Sequence, residues 1–359
     1  MRLPLVRFFE TSFARVHDRT FVLVTVEQDG ASGFGECVAE ANPYYSSETT
    51  TTAWHIIRDF IAPLVLGRDF RHPREIFPAL ARIRGHNMAK AAVEMAAWDL
   101  FARQQDLPLS RVLGGNRSSI ESGVSIGIQD SLDELVERVR VERDAGYRRI
   151  KIKVKPGWDL DAVARIRREF GQVPLMVDAN AAYALSDAAH LAKLDDHGLM
   201  MIEQPLDYDD IRDHAELQGR LRTPICLDES IHTVQAAKDA IDRRACRIIN
   251  IKPGRIGGHG PSIELHDVAA AQNIPVWHGG MLESGIGRAH NIHLSTLHNF
   301  SLPGDVAASR RYYDPDLIEP GIEVRADGTI AVPEGPGIGV TIVPDRVEAA
   351  TTERTELRA

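Results

Sequence analysis

The chain has 359 residues, 43% hydrophobic and 26% charged, with a formal net charge of −9. That length accommodates a (β/α) barrel of ~250 residues plus a smaller domain, and the acidic balance argues against a nucleic-acid surface. No apolar run reaches the ~18 residues of a membrane span, and Met1-Arg2-Leu3-Pro4 enters strand-like sequence rather than a leader. A cytoplasmic protein acting on small molecules, with neither nucleic acid nor a membrane as partner, is expected. The three cysteines, Cys37, Cys226 and Cys246, are odd in number and lack CxxC spacing, so they are expected to be free and buried.

In chain order, Thr20–Glu27 alternates as a strand and breaks at Asp29-Gly30 before Gly33-Phe34-Gly35-Glu36, which implies a hairpin or meander. From about Thr49 to Leu107 the periodicity turns helical, with Ala53, Ile56, Ile57 and Phe60 on one face. A small α+β domain follows from this mixture. Beyond Gly114-Gly115 come short apolar strands: Val124–Ile128, Arg149–Val154, Leu175–Asn180, Met200–Gln204, Ile225–Glu229, Ile248–Lys252 and Ile274–His278. Each precedes a helix-length interval, such as Asp159–Phe170 or Leu185–His197. Repeated βα units point to a barrel with functional groups at the carboxyl ends of its strands. The ending Asp345–Ala359 is charged and Thr-rich, and is expected to fray.

At those strand ends stand Lys151-x-Lys153, Asp178, Glu203, Asp228 and Lys252, separated from Lys153 onward by 25, 25, 25 and 24 residues. One βα unit advances the chain by one strand, so this spacing brings all of them to one rim. Three converging carboxylates repel unless a cation lies between them, and an all-oxygen set suits Mg²⁺ or Mn²⁺, whereas zinc would draw His or Cys. Such a cation would neutralise the charge that builds on a carboxylate when the neighbouring C–H is deprotonated. Lysines on the second and sixth strands would face each other across the pocket, one removing a proton and the other returning it. Lys151 beside Lys153 supplies the second cation that disfavours the charged form of a lysine base.

Through Lys151-Ile152-Lys153, Val177-Asp178-Ala179-Asn180, Ile202-Glu203-Gln204-Pro205, Asp228-Glu229-Ser230 and Asn250-Ile251-Lys252-Pro253-Gly254, the sequence resembles the muconate-lactonising-enzyme subgroup of the enolase superfamily. The resemblance implies an α/β fold, a modified TIM barrel (β/α)₇β over 114–309. An α+β capping domain over 1–113, completed by about 310–359, would close over it. Thr11-Ser12-Phe13, Tyr45-Ser46-Ser47-Glu48, Gly85–Ala91, Arg255-Ile256-Gly257-Gly258 and Gly279–Arg288 narrow the likeness. They resemble the o-succinylbenzoate synthase / N-succinylamino acid racemase (N-acylamino acid racemase) family.

That family implies Lys153 and Lys252 as the acid/base pair and Asp178, Glu203 and Asp228 as ligands of Mg²⁺, with Mn²⁺ as a substitute. A small carboxylate substrate would be bound by Lys151, Asn180, Asn250, Tyr45, Ser125, Met281, Leu282, Glu283, Ser284 and Ile286, with Arg255 tuning specificity. The implied chemistry is α-proton removal through an enediolate. It leads to dehydration in menaquinone synthesis, to racemisation of N-acylamino acids, or to both, in a homo-oligomer. The chain begins a few residues inside the family's usual first strand, so either the sequence is short at its start or the capping sheet is trimmed.

His278, where the family more often has a small residue or Cys, is expected to pack rather than act as a base, since Lys252 is present. His290, His293 and His298 are expected on a helix surface, and Arg255–Gly260 as a loop. Muconate cycloisomerase, dipeptide epimerase and a non-catalytic binding barrel are the alternatives. An epimerase would carry an Asp-x-Asp pair near the eighth strand, which Asp305-Val306-Ala307 does not supply.

Overall fold

The computed structural model describes residues 1–359. Val22–Gln28 and Ala31–Cys37 form an antiparallel hairpin. Its turn, Asp29-Gly30, has φ of 51° and 79°, the left-handed geometry that matches strand twist. Arg2–Glu10 pairs with Arg15–Thr20 in a second hairpin. The tip of that hairpin reaches the barrel, where Ser12 Oγ donates to the Asn180 carbonyl at 3.2 Å. Helix Asn87–Gln104 lies directly on Ala31–Cys37, because a Cβ on Gly33 or Gly35 would collide with the Ala96 or Ala92 carbonyl.

Seven parallel strands follow in one sheet: Gly123–Ile126, Arg149–Lys153, Leu175–Asp178, Ile202–Glu203, Ile225–Leu227, Ile248–Ile251 and Val276–His278. Segment Phe300–Asp305 closes the curl. Ser301 N donates to Val276 O at 3.2 Å, Asp305 N to His278 O at 2.7 Å and Gly123 N to Gly304 O at 2.7 Å. Helices such as Leu132–Asp144, Leu160–Phe170 and His259–Ala271 connect the strands. All seven strands are buried throughout, which explains their continuous apolar runs.

Side chains alternate across each strand, and inside the barrel this produces layers. Met176, Met201, Cys226, Ile248 and Trp277 fill one apolar layer. Two residues further along each strand, the next layer holds Asp178, Glu203, Asp228, Asn250 and Gly279. The barrel thus carries a greasy plug beneath a polar floor.

The structure departs from the sequence expectation in three places. The chain end is not wholly frayed: Pro344–Ala350 is helical and Ala350 joins the main core, while the residues after Thr351 are exposed and outside any helix or strand. Arg255–Gly260 is not a loop. Pro253–Ile256 forms a turn of helix stopped by Gly257 at φ 113°, and His259 begins the next helix. Of the three histidines placed on a helix surface, only His298 is exposed. His290 Nε2 bonds Phe34 O at 2.7 Å and His293 Nε2 bonds Ile338 O at 3.1 Å, so both are buried with partners.

Candidate active site

Register sets the polar floor. Lys153 is the direct cross-strand partner of Asp178, and Asp178 of Glu203. Lys153 Nζ donates to Asp178 Oδ2 at 2.6 Å and to Asn180 Oδ1 at 2.7 Å. Lys151 Nζ lies 2.9 Å from Glu203 Oε2, 3.3 Å from Asp178 Oδ2 and 2.6 Å from Asp305 Oδ2. The two neighbouring lysines therefore meet at one carboxylate oxygen. Across the barrel, Lys252 Nζ lies 2.7 Å from Asp228 Oδ2 and 3.1 Å from the Tyr45 hydroxyl.

Arg255 pairs with the other Asp228 oxygen and is anchored by Nε to Ile231 O at 2.7 Å and Nη2 to Asn250 O at 2.6 Å. Asn250 Nδ2 donates to Glu203 Oε1 at 2.6 Å.

Burial opposes the charge on Lys151, but Asp305, Glu203 and Asp178 outweigh it and hold the ammonium above the usual lysine range. Lys252 is likewise opposed by burial and raised by Tyr45, Glu203 and Glu229. Burial works against ionised Asp178 too, yet Lys153 and Lys151 hold its carboxyl well below the ordinary range. Glu229, whose Oε1 accepts from Asn180 Nδ2 at 2.9 Å, is pushed up to about 7 by burial and the nearby Asp178.

Asp178, Glu203 and Asp228 are 1%, 0% and 0% exposed. They do not form a ready-gathered ligand cluster: Asp178 and Glu203 each have a cation against one oxygen, and Asp228 has one against both. Glu229 Oε2 and Asn250 Oδ1 are buried beside them without partners. Three fully buried carboxylates beside two unpartnered oxygen acceptors offer the all-oxygen donor chemistry that suits a hard divalent ion such as Mg²⁺ or Mn²⁺.

A pocket opens above this floor. Lys151, Lys153, Lys252, Asn180, Tyr45, Ser125, Met281, Leu282 and Glu283 line it, and the Ser125 hydroxyl is buried without a partner. Four residues expected to touch substrate do not line it. Asn250 is committed to Glu203 and Arg255 to Asp228. Ser284 caps helix Gly285–Leu294 and donates its hydroxyl to Glu36 Oε2 at 2.6 Å, and Ile286 is buried in the main core. Past Glu283 the chain turns into that helix, from which Arg288 alone reaches the pocket.

His278 faces away from the pocket. Gly279 points at Asn250 and Lys252, so its neighbour His278 faces outward and stacks on Phe300 at 6.2 Å. The packing role expected for His278 agrees with this placement.

Residues missed from sequence include Phe9, Phe13 and Tyr312, Arg288 and Asp305. Arg288 is 2% exposed, with Nη2 on Glu283 O at 2.7 Å and Nη1 making no hydrogen bond, 3.8 Å from Asp316 Oδ2. Asp305 had a signal: it stands 26 residues beyond Gly279, which itself stands 27 beyond Lys252, continuing the spacing of the inward-facing series. Gly279 has no side chain, which interrupts the pattern.

Comparison with known proteins places this arrangement. Residues 2–114 match the mandelate racemase / muconate lactonizing enzyme N-terminal domain, and residues 134–346 the enolase C-terminal domain-like family. An o-succinylbenzoate synthase of Geobacillus kaustophilus is 51% identical over 352 residues, 98% of this chain and 94% of that one. An N-succinylamino acid racemase of Thermus thermophilus is 47% identical over 351 residues, 98% and 95% of the two chains. The crystal structure of an enolase superfamily member from Listeria innocua matches with a TM-score of 0.94 at 40% identity, covering 98% of this chain and 95% of that one. The chain belongs to the mandelate racemase / muconate lactonizing enzyme family of the enolase superfamily and is an enzyme. No helix is long and apolar enough to cross a membrane.

Proposed function

We propose that this enzyme removes the proton next to a substrate carboxylate, acting as an o-succinylbenzoate synthase, an N-succinylamino acid racemase, or both. One observation carries the reading: Lys153 and Lys252, from the second and sixth strands of a closed barrel, open into the same pocket, each held on its own buried carboxylate. Asp178, Glu203 and Asp228 would hold Mg²⁺ or Mn²⁺. When bound, that ion supplies the positive charge that makes an enediolate accessible.

Lys153 removes the α-proton from one face. In racemisation Lys252 delivers a proton to the other face, and the roles exchange for the opposite enantiomer. In dehydration Lys153 serves both removal of the proton and departure of hydroxide, with Lys252 as a cation opposite the developing charge. Lys151 and the unpartnered Ser125 hydroxyl supply donors for substrate oxygens. Arg288 lines the pocket, and its Nη1, which makes no hydrogen bond and has Asp316 Oδ2 3.8 Å away, would receive the second carboxylate of a succinyl group. Phe9, Phe13 and Leu282 form apolar wall, and Tyr313 fixes the Leu282 carbonyl at 2.6 Å.

A dipeptide epimerase is not favoured, because Asp305 is already committed to Lys151 and Arg149 and residue 307 is a buried alanine. The test is to offer purified enzyme the hydrated precursor of o-succinylbenzoate and N-succinylamino acids, with Mg²⁺ and after verified metal removal. At least one substrate should turn over with Mg²⁺ and neither without it. Turnover of neither with Mg²⁺, or undiminished turnover in excess chelator, would sink the reading.

A further inference from the structure

Asp305 is the one carboxylate that the barrel-closing segment contributes to the pocket, and its side chain is 6% exposed. Its two oxygens have different partners. Oδ1 lies 2.6 Å from Arg149 Nη1, and Oδ2 lies 2.6 Å from Lys151 Nζ. Arg149 is itself immobilised: it is 1% exposed, donates from Nη2 to Pro303 O at 2.8 Å, and stands over Trp277 at 4.9 Å. Asp305 is therefore a fixed anchor facing a lysine that has two other carboxylates within reach.

The Lys151 ammonium is shared unequally among those three. It is nearer to Asp305, at 2.6 Å, than to Glu203, at 2.9 Å, or Asp178, at 3.3 Å. A buried ammonium does not stay unpaired, so without Asp305 it would settle fully on Glu203 and Asp178. Those are two of the three carboxylates assigned above to the divalent ion, and a cation bound tightly there competes with the metal. We propose that Asp305 is a positioning residue that draws the Lys151 ammonium off the Asp178–Glu203 pair and so keeps their oxygens free for the divalent ion. This rests on the metal assignment made under Proposed function.

The test uses Mn²⁺ alone. Full-length enzyme, stripped of metal and without substrate, is titrated while the free Mn²⁺ signal is followed by electron paramagnetic resonance. Parent, Asp305→Asn, Lys151→Met and the Lys151→Met/Asp305→Asn double variant are compared, with thermal unfolding to establish that each is folded. Asp305→Asn should weaken Mn²⁺ binding by roughly tenfold or more, and the double variant should bind as Lys151→Met does, within about threefold. A merely structural role for Asp305 would leave the double variant no better than Asp305→Asn.

Parent-like affinity in Asp305→Asn, or a double variant as weak as Asp305→Asn and weaker than Lys151→Met, overturns the proposal. If Asp305→Asn does not fold, the comparison of Lys151→Met with the double variant still decides: equal affinity supports the proposal and a further loss overturns it. Failure of the parent to bind Mn²⁺ is a different result, which removes the metal assignment itself.

Discussion

The hydroxyl of Tyr45 lies 3.1 Å from Lys252 Nζ, and the same ammonium stands 4.6 Å from the centre of the Tyr45 ring. These residues are 207 apart in sequence, so a lysine on the sixth barrel strand is steered by a side chain from the N-terminal region. Tyr45→Phe keeps the ring and removes only the hydroxyl, which also contacts Asp228 and Arg255 at 3.2 Å each. Loss of one hydrogen bond to a charged group costs about 1.5–3 kcal/mol, and kcat for racemisation should fall roughly tenfold or more while KM changes little. Steady-state kinetics on both enantiomers checks this, and an unchanged kcat would contradict it.

Arg288 offers a test of substrate class. If its Nη1, which makes no hydrogen bond, receives the terminal carboxylate of a succinyl group, Arg288→Met should raise KM for succinylated substrates by about 10- to 100-fold, the value of one charge-assisted bond. N-acetyl analogues lack that carboxylate and should be affected far less. Equal losses on both would place Arg288 in the framework of the Glu283 loop rather than against substrate.

Much of this site was legible in the sequence because strand-end chemistry repeats at the barrel's own period. Lys153, Asp178, Glu203, Asp228 and Lys252 each fall at an inward-facing position, the two lysines lining the pocket and the three carboxylates forming the buried floor under it. Residues beyond the strands were harder to read. Ser284 and Ile286 continue a pocket-wall motif, yet helix capping turns one toward Glu36 and core burial takes the other.

The histidine pattern misled for a related reason. Helix Gly285–Leu294 is buried on all sides, so polar residues on it mark internal hydrogen bonds rather than a solvent face. Phe9 left no signal of its own, and Phe13 stood only within the Thr11-Ser12-Phe13 resemblance, because only the tertiary fold brings the N-terminal hairpin over the barrel.

Those buried histidines predict an acid limb of stability. Burial pushes His290 down to about 4 and His293 down to about 3. Unfolded, both titrate near ~6.5, so below that value the unfolded chain binds more protons than the folded one. Their contribution is fully present above ~6.5 and is lost as pH falls toward their folded values. Glu36 and Glu94 act in the opposite sense: burial raises each to about 7, so their contribution grows as pH falls from 7 toward ~4.5.

His293→Gln, which keeps a donor for Ile338 O and an acceptor for Ser110 N, should flatten the stability loss between pH 7 and 5 by up to about 2 kcal/mol. Urea unfolding at several pH values measures it. A pH dependence identical to that of the parent would contradict the assignment.

Gly35 tests the seat of the N-terminal domain. A Cβ there meets the Ala92 carbonyl and Ala96 nitrogen of helix Asn87–Gln104, backbone that cannot move aside cheaply. Gly35→Ala should destabilise by about 3 kcal/mol or more, whereas Gly30→Ala at an open turn should cost only its left-handed backbone strain of about 1–2 kcal/mol. Chemical unfolding of the two variants should rank them in that order.

The most direct measurement concerns the two lysines. Lys153→Ala and Lys252→Ala, each verified as folded, are incubated in deuterated buffer with each enantiomer of N-succinylphenylglycine, and α-proton exchange and racemisation are followed by NMR. Lys153→Ala should lose both racemisation and dehydration. Lys252→Ala should lose racemisation completely, because the second face has no proton donor, and should keep part of any dehydration activity, reduced by an electrostatic contribution of about 2.7–4 kcal/mol. Racemisation retained in Lys252→Ala would contradict the two-lysine account, and since His278 faces away from the pocket it could not be rescued by naming that residue as the second base.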